Sequence, residues 1–209
     1  MVTTPSMVEF LRERGFTKLA PWARGVDMET FNPGRRFSPD DIYKNLERPI
    51  WVNVGRIAVE KNIEAFLSLD LPGSKVVIGD GPQLSQLKKK YPEVTFPGPK
   101  FGEDLARYFA DADVFVFPSK TDTFGLVIIE SMASGTPVAG YPVSGPIDII
   151  PGSRAGSINE DLKTACLKAL DMSRHACVAH AQNYSWDAVS EVFYDYLTPE
   201  YTPLARKRW

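Results

Sequence analysis

Short apolar runs recur along the chain from residue 50 onward, and segments with helical periodicity lie between them. The runs cover residues 50–54, 75–78, 94–96, 114–117 and 137–139. Between two of these runs, Leu105, Tyr108 and Phe109 follow the i, i+3, i+4 spacing of one helix face. Strands that are roughly 20–25 residues apart, with helices between them, predict βαβ units and a parallel sheet covered on both faces. The pattern therefore predicts an α/β fold, a Rossmann-like doubly wound parallel sheet, whose ligands bind where the strand order reverses.

The same pattern divides the chain into three segments. Residues 1–40 show little periodicity and are punctuated by proline and glycine, so we interpret them as the remnant of a preceding domain and an inter-domain connector. Residues 41–183 form the predicted Rossmann-like domain. In residues 184–209, Ser185 is a suitable helix N-cap before an aromatic-rich helix, and a solvated tail follows Pro199. This last helix either packs on its own domain or reaches toward a partner domain, and both interpretations stay open.

The charge and cysteine content narrow the classes of partner and compartment. The formal net charge is −2, which lacks the basic excess of a nucleic-acid-binding surface, so we expect no nucleic-acid partner. Cys166 and Cys177 form no CxxC pair, and this favours a reducing, cytoplasmic location over a disulfide or a zinc site. No apolar run approaches the ~20 residues that span a bilayer, so any membrane contact of a full-length protein would be peripheral.

A first cluster of candidate binding residues follows the first apolar run. Gly55 permits a close approach of the backbone to a ligand, and Arg56 offers a planar fork for phosphate oxygens. Lys61 adds a point charge about one helical turn further on. Together these residues suit a diphosphate, although a solvated loop with two surface cations is an equally good interpretation. The motif is neither a Walker A loop nor a GxGxxG fingerprint, because the second glycine of either is absent.

A second cluster follows the buried run at residues 114–117. A polar loop leads into a helix that we expect to start near Phe124 or Gly125, with free backbone N–H groups that face an anion. Asp122 precedes this helix, and Glu130 lies inside it among apolar neighbours. An aspartate in a first turn and a glutamate on a helix surface are common, but a carboxylate in apolar surroundings usually has a function.

These motifs together resemble the retaining GT-B glycosyltransferases of family 4. Asp122 and Glu130 form an acidic pair with seven residues between them, and the sequence SMASGTPV follows the pair. The resemblance also includes Gly55-Arg56 with Lys61, the run Ile78-Gly79-Asp80-Gly81-Pro82, and Arg24-Gly25-Val26-Asp27. It extends from about residue 15 to residue 150 and implies that the sheet is the C-terminal half of a GT-B fold. One residue departs from the pattern, because Asp122 stands where the commonest form has Glu.

The resemblance implies a role for each of these residues. Arg56, Lys61 and Asp122 are the implied catalytic residues: the two cations hold the donor diphosphate and stabilise the leaving group, and Asp122 binds a hydroxyl of the donor sugar. Glu130 is implied to hold the ribose hydroxyls. The complete set of implied donor-binding residues is Gly55, Gly79, Gly81, Phe96, Phe124, Gly125, Leu126, Val127 and Glu130.

The function that the resemblance implies is transfer of a sugar from a nucleoside diphosphate sugar to an acceptor hydroxyl with retention. UDP, GDP and ADP remain open as the nucleotide, and no metal or other cofactor is expected. A missing N-terminal GT-B domain is expected to supply the acceptor side, so the isolated chain is expected to be inactive. Two alternatives stay open, a GT-B nucleotide-sugar epimerase and a non-catalytic module that binds sugar nucleotides.

Overall fold

Six short strands form one parallel sheet within the residues that the computed structural model describes, which are 1–36 and 42–197. The strands are β1 (Ile50–Val54), β2 (Ser74–Ile78), β3 (Thr95–Gly98), β4 (Val114–Phe117), β5 (Val138–Gly140) and β6 (Gly156–Ile158). Their order is β3-β2-β1-β4-β5-β6, and every pairing is parallel. The predicted α/β class and five of these strands are confirmed. The predicted boundary at residues 40 and 41 and the tail beyond Pro199 lie outside the described residues.

Helices connect the strands and cover the sheet on both faces. They are α1 (Pro5–Arg12), α2 (Ile63–Leu67), α3 (Leu84–Lys90), α4 (Gly102–Asp111), α5 (Leu126–Ala133), α6 (Pro146–Ile149), α7 (Leu162–Ala169), α8 (Arg174–Ala181) and α9 (Trp186–Asp195). None of the described helices is long and apolar enough to cross a membrane.

Strand β1 separates two apolar layers. Val52 packs on one face of the sheet in a cluster that contains Phe109 and Met132, whereas Trp51 packs on the other face with Phe66. Both strand residues are completely buried. Burial on both faces explains why the central strands are continuous apolar runs rather than alternating ones.

The strand order reverses between β1 and β4. From β1 the chain proceeds outward through β2 and β3, and it then returns to the other side of β1 to build β4, β5 and β6. The reversal is fixed by the pairing of Trp51 with Val114 and of Val52 with Phe115. Loops that leave two such strands in opposite directions open a crevice at the carboxyl end of the sheet.

The segment before β1 is fastened to the C-terminal helix. The backbone N–H of Val26 donates to the carbonyl of Tyr184 at 2.8 Å, and the Trp22 indole N–H donates to the carbonyl of Val189 at 2.9 Å. Ser185 caps α9 as predicted, because its side chain accepts a hydrogen bond from the N–H of Ala188. Helix α9 thus packs on the connector, while several of its aromatic side chains stay exposed to solvent.

Candidate functional site

A cavity of about 460 Å³ opens at the carboxyl ends of β1 and β4, where the strand order reverses. Three segments of the chain line it: the connector, the loop between β1 and α2, and the loop between β4 and α5. The lining residues are Arg24, Asn53, Val54, Gly55, Arg56, Lys61, Phe117, Pro118, Ser119, Asp122, Thr123, Phe124, Gly125, Leu126 and Val127. Its volume falls in the range of about 300–1,000 Å³ that is typical of small-molecule sites.

The β1–α2 loop is supported from behind by the loop that follows β2. The N–H of Gly55 donates to the carbonyl of Ile78 at 3.0 Å, and the N–H of Ile57 donates to that of Asp80 at 2.9 Å. A Cβ at Gly79 would lie 1.9 Å from the carbonyl oxygen of Gly55, so only glycine lets the two backbones approach this closely. Gly79 therefore supports the cavity wall rather than lining it.

The start of α5 presents free amide groups to the cavity. Gly125 is in the left-handed region at φ +83°, and it turns the chain from the polar loop into the helix. The N–H groups of Gly125, Leu126 and Val127 have no acceptor among the described residues. Because the positive end of the helix dipole adds to these donors, this end of α5 favours an anion.

Three side-chain contacts join the two loops across the cavity. Lys61 Nζ lies 2.7 and 2.9 Å from the two carboxylate oxygens of Asp122. Asn62 donates from its side-chain amide to the carbonyl of Pro118 at 3.0 Å, and the Thr121 hydroxyl donates to the carbonyl of Glu60 at 3.3 Å. These contacts fix the width of the cavity, because they hold the β1–α2 loop against the loop that leads to α5.

Three cations line the cavity, and two of them have acidic partners. Lys61 is paired with Asp122, and Arg56 lies 3.7 Å from Glu60 on an exposed surface. Arg24 is exposed and has no ion-pair partner among the described residues. The cavity therefore combines positive charge, free amides and an apolar floor, a set of groups that suits a phosphorylated organic ligand.

Comparison with known proteins identifies the family. A family model described as "Glycosyl transferases group 1" matches residues 48–172. The chain belongs to the group 1 glycosyl transferases. The matched region contains every cavity-lining residue except Arg24. The predicted resemblance to the C-terminal half of a GT-B enzyme is confirmed, while membership of family 4 stays a prediction.

Curated relatives of this glycosyl transferase chain are longer proteins. A GDP-mannose-dependent alpha-mannosyltransferase of Corynebacterium glutamicum is 34% identical over 199 residues, which cover 88% of this chain and 46% of that protein. Sulfoquinovosyl transferase SQD2 of Arabidopsis thaliana is 40% identical over 149 residues, covering 66% of this chain and 29% of that protein. The chain therefore spans less than half the length of these two relatives.

Solved structures share the fold of this glycosyl transferase. Sucrose-phosphate synthase from Thermosynechococcus elongatus has a TM-score of 0.75 and 26% identity, over 93% of this chain and 56% of that chain. HepE of Anabaena in complex with UDP has a TM-score of 0.70 and 19% identity, over 91% of this chain and 60% of that chain. At the latter identity the similarity shows the fold alone.

The cavity brings most of the predicted site residues of this glycosyl transferase together. Gly55, Arg56, Lys61 and Asp122 line it with the four residues 124–127. Four others lie elsewhere: Gly79, Gly81, Phe96 and Glu130. Gly81 packs on the backbone of Ile57, and Phe96 lies on the edge strand β3, two strands away from β1. The roles of all these residues in ligand binding stay predictions.

Glu130 lies one helical turn beyond the cavity wall. It lies three residues after Val127, and both residues are on the less buried side of α5. Ile128 and Ile129 are on the opposite side, which faces the core. Burial raises the pKa of Glu130 from its ordinary value of 4.5 to about 7. Its carboxylate has no hydrogen-bond donor among the described residues, so it is ready to accept hydrogen bonds from a ligand that extends along the helix.

Several residues that line the cavity are absent from the site predicted from the sequence. Asn53 and Phe117 are the ends of predicted buried strands, and their place at the carboxyl edge follows from the parallel sheet. Ser119 and Thr123 belong to the predicted polar loop. Arg24 belongs to the motif Arg24-Gly25-Val26-Asp27 of the family resemblance but was given no role, because only the folding of the connector onto α9 brings it to the cavity.

Two aspartates with one residue between them, Asp111 and Asp113, lie at the opposite end of β4. Asp113 accepts a hydrogen bond from the N–H of Ile50 at 2.7 Å and pairs with Arg48 at 2.9 Å. Asp111 is buried, and Arg48 lies 3.9 Å from its carboxylate. These carboxylates stabilise the start of β1 and β4 and do not reach the cavity.

Proposed function

We propose that this chain binds a nucleoside diphosphate sugar in the cavity and forms the donor half of an enzyme that transfers the sugar, with retention, to an acceptor hydroxyl. One observation carries the proposal: cations and the free amides of α5 meet at the single crevice where the strand order reverses. Membership of the group 1 glycosyl transferases supports the reaction class.

The diphosphate occupies the space between Arg56, Lys61 and the start of α5. The amides of residues 125–127 donate to phosphate oxygens, and the two cations stabilise the charge that develops on the leaving diphosphate as the glycosidic bond breaks. Because these groups already supply positive charge at this point, we propose that the reaction needs no metal ion. The apolar residues Val54 and Phe117 close the floor of the site.

The remainder of the donor extends away from the diphosphate in two directions. Asp122, at the loop before α5, binds a hydroxyl of the sugar. Glu130, one turn further along α5, binds the ribose hydroxyls. Gly55, Gly79, Gly81 and Phe96 complete the donor-binding set as residues that shape the loops and the base site.

GDP is the first nucleotide to test. The Corynebacterium relative and a second one from Mycobacterium tuberculosis, also 34% identical, are both named GDP-mannose-dependent alpha-mannosyltransferases. UDP and ADP are the comparison nucleotides, since the residues that line the cavity do not by themselves identify the base.

The acceptor side belongs to a second, N-terminal GT-B domain in this proposal. The shorter extent of the chain relative to its relatives and the open side of the cavity support it. Cytoplasmic location and peripheral contact of the full-length enzyme with a membrane are part of the same proposal. An epimerase or a non-catalytic module would use the same donor-binding groups, and an assay of sugar transfer with both halves present distinguishes them.

Isothermal calorimetry tests donor binding directly. The wild-type chain is titrated with GDP, UDP and ADP, and the double variant Arg56→Ala/Lys61→Ala is titrated in parallel. Charge-assisted hydrogen bonds are worth about 1.5–3 kcal/mol each, so we expect the double variant to lose at least about tenfold in affinity. Equal affinity of the variant and the wild type would refute the assignment. Lys89→Ala is the control, because Lys89 is an exposed cation outside the cavity.

A further inference from the structure

Among the described residues of the connector, Arg24 lines the cavity, and the backbone around it is held by several contacts. Pro21, Trp22 and Ala23 line a second cavity of about 260 Å³ between the connector and α9, whereas Arg24 lines the main one. The connector thus forms a partition between the two cavities. Phe124 lines both of them and marks where the partition meets the start of α5.

Contacts on both sides of Arg24 fix its backbone. Gly25 packs so closely on Trp186 that an added Cβ would lie 2.5 Å from the indole ring. The N–H of Val26 is bonded to Tyr184, and the Trp22 ring lies 5.4 Å from the ring of Phe193. Because this backbone is already held, a ligand that binds Arg24 has to order only its side chain.

Arg24 is the cavity cation that has no acidic partner among the described residues. Among the described residues that line the cavity, Lys61 has Asp122 as its counter-ion, and Arg56 is within 3.7 Å of Glu60. A ligand anion must therefore compete with a carboxylate at either of those two cations. Arg24 has no such competitor, and its guanidinium can donate two parallel hydrogen bonds to phosphate oxygens.

We infer that Arg24 is a third phosphate-binding cation of the donor site, contributed by the connector. The inference rests on the proposed function, and it adds a residue outside the region that the family model matches. It also links the connector to ligand binding, because the donor phosphates would be held between the connector and the two loops of the sheet.

The test compares side chains of different charge at this one position. The full 209-residue chain is titrated calorimetrically with GDP and with UDP as wild type, Arg24→Gln and Arg24→Lys. We expect Arg24→Gln to weaken the binding of both nucleotides at least about tenfold, since a charge-assisted contact is removed. Arg24→Lys should recover a large part of this loss. Added salt should weaken binding less steeply in Arg24→Gln than in the wild type or in Arg24→Lys.

Two controls make the outcome decisive. Arg12→Gln removes an equal charge from the exposed end of α1, outside both cavities, and should bind as the wild type does. The thermal midpoint of Arg24→Gln should equal that of the wild type, because Arg24 makes no ion pair in the described fold. Unchanged GDP and UDP affinity in Arg24→Gln would overturn this inference while leaving donor binding intact. Failure of the wild type to bind any nucleoside diphosphate would overturn the proposed function itself.

Discussion

Lys61 Nζ lies 2.7 and 2.9 Å from the two carboxylate oxygens of Asp122 at the wall of the cavity. The family resemblance implies that these residues bind different parts of the donor, the cation the diphosphate and the carboxylate the sugar. In the fold they are partners, and both are partly shielded from solvent. In the proposed function the donor phosphates therefore compete with a carboxylate for one ammonium group.

Removing the charge of Asp122 is expected to strengthen the binding of GDP alone. Asp122→Asn keeps the shape of the side chain but frees Lys61 and removes repulsion of the phosphates. An exposed or half-exposed pair is worth about 0.2–1 kcal/mol, so the gain should be up to about fivefold. Calorimetry with GDP measures it, with Asp171→Asn, an exposed aspartate distant from the cavity lining, as the charge-matched control. Weaker GDP binding in Asp122→Asn would mean that the carboxylate positions Lys61 for the phosphate.

The same variant, Asp122→Asn, should prefer the intact sugar nucleotide over GDP less strongly than the wild type does. The carboxylate that repels the phosphates is also the proposed acceptor for a sugar hydroxyl, and an amide replaces it poorly. The ratio of GDP-sugar affinity to GDP affinity should therefore fall in Asp122→Asn. An unchanged ratio would place the sugar elsewhere in the cavity.

The stability of the fold should decrease as the pH rises through the range in which Glu130 ionises. Burial raises the pKa of Glu130 from 4.5 to about 7, so between these values the folded chain keeps a proton that the unfolded chain releases. The Glu130 contribution to stability is thus fully present below pH 4.5 and is lost as the pH rises through 7. Urea unfolding at several pH values should show that Glu130→Gln is less pH-dependent than the wild type, by at most about 1.4 kcal/mol per pH unit. Identical pH profiles would contradict the shift.

Donor binding should couple to the same proton. Ribose hydroxyls that donate to Glu130 favour the carboxylate, so binding should release a proton and tighten as the pH rises from 6 to 8. Titrations of GDP in buffers of different ionisation enthalpy measure the released proton. Glu130→Gln is the matched control, because protons that come from the nucleotide itself are released in both titrations and disappear from the difference between them. The assignment of Glu130 to ribose fails if the wild type and this variant release the same number of protons.

Gly25→Ala is expected to destabilise the chain by about 1–3 kcal/mol, because its methyl group would overlap the ring of Trp186. In a Trp186→Ala background the same Gly25→Ala change should cost much less, since the obstructing ring is gone. Denaturant unfolding of the wild type, the two single variants and the double variant measures the free energies of unfolding for this double-mutant cycle. Additive losses would show that the contact between the connector and α9 is not the cause.

The isolated chain is expected to bind GDP but to transfer no sugar. Positioning of two reactants contributes roughly 7–11 kcal/mol to the lowering of a barrier, and in the proposed function this chain supplies only the donor side of that arrangement. The assay is product formation from GDP-, UDP- and ADP-sugars with simple sugar and lipid acceptors, while GDP binding by the same sample reports that it is folded. Multiple turnover by this chain alone would show that the active site is complete without a further domain.

The sequence predicts a strand correctly where burial on both faces of the sheet requires apolar residues. Strands β1 and β4 consist almost entirely of large apolar residues because both faces of the sheet are covered. Strand β6 was missed, because Gly156 and Ser157 leave it without an apolar run. A Cβ at Gly156 would lie 2.3 Å from the carbonyl oxygen of Val138. Close backbone packing of this kind leaves no hydrophobic signal in the sequence.

The candidate site was predictable as two loops but not as a set of contacts. The motifs around Arg56 and Asp122 placed both loops at one edge of a parallel sheet, as the structure has them. The pairing of Lys61 with Asp122 depends on how far each loop extends, which residue spacing does not determine. The position of Arg24 depends on a segment without periodicity that is held by a helix at the other end of the sequence.

The pairing of β1 with β4 has a kinetic consequence. It joins segments that are far apart in the sequence: Ile50 and Asp113, which are bonded at its start, are 63 positions apart. Such a contact closes a long loop, so the cavity is complete only after the slow, non-local stage of folding. A nucleotide that needs the finished cavity cannot guide the earlier stages. It should lengthen the lifetime of the native chain by slowing unfolding, and leave the refolding rate as it is without ligand.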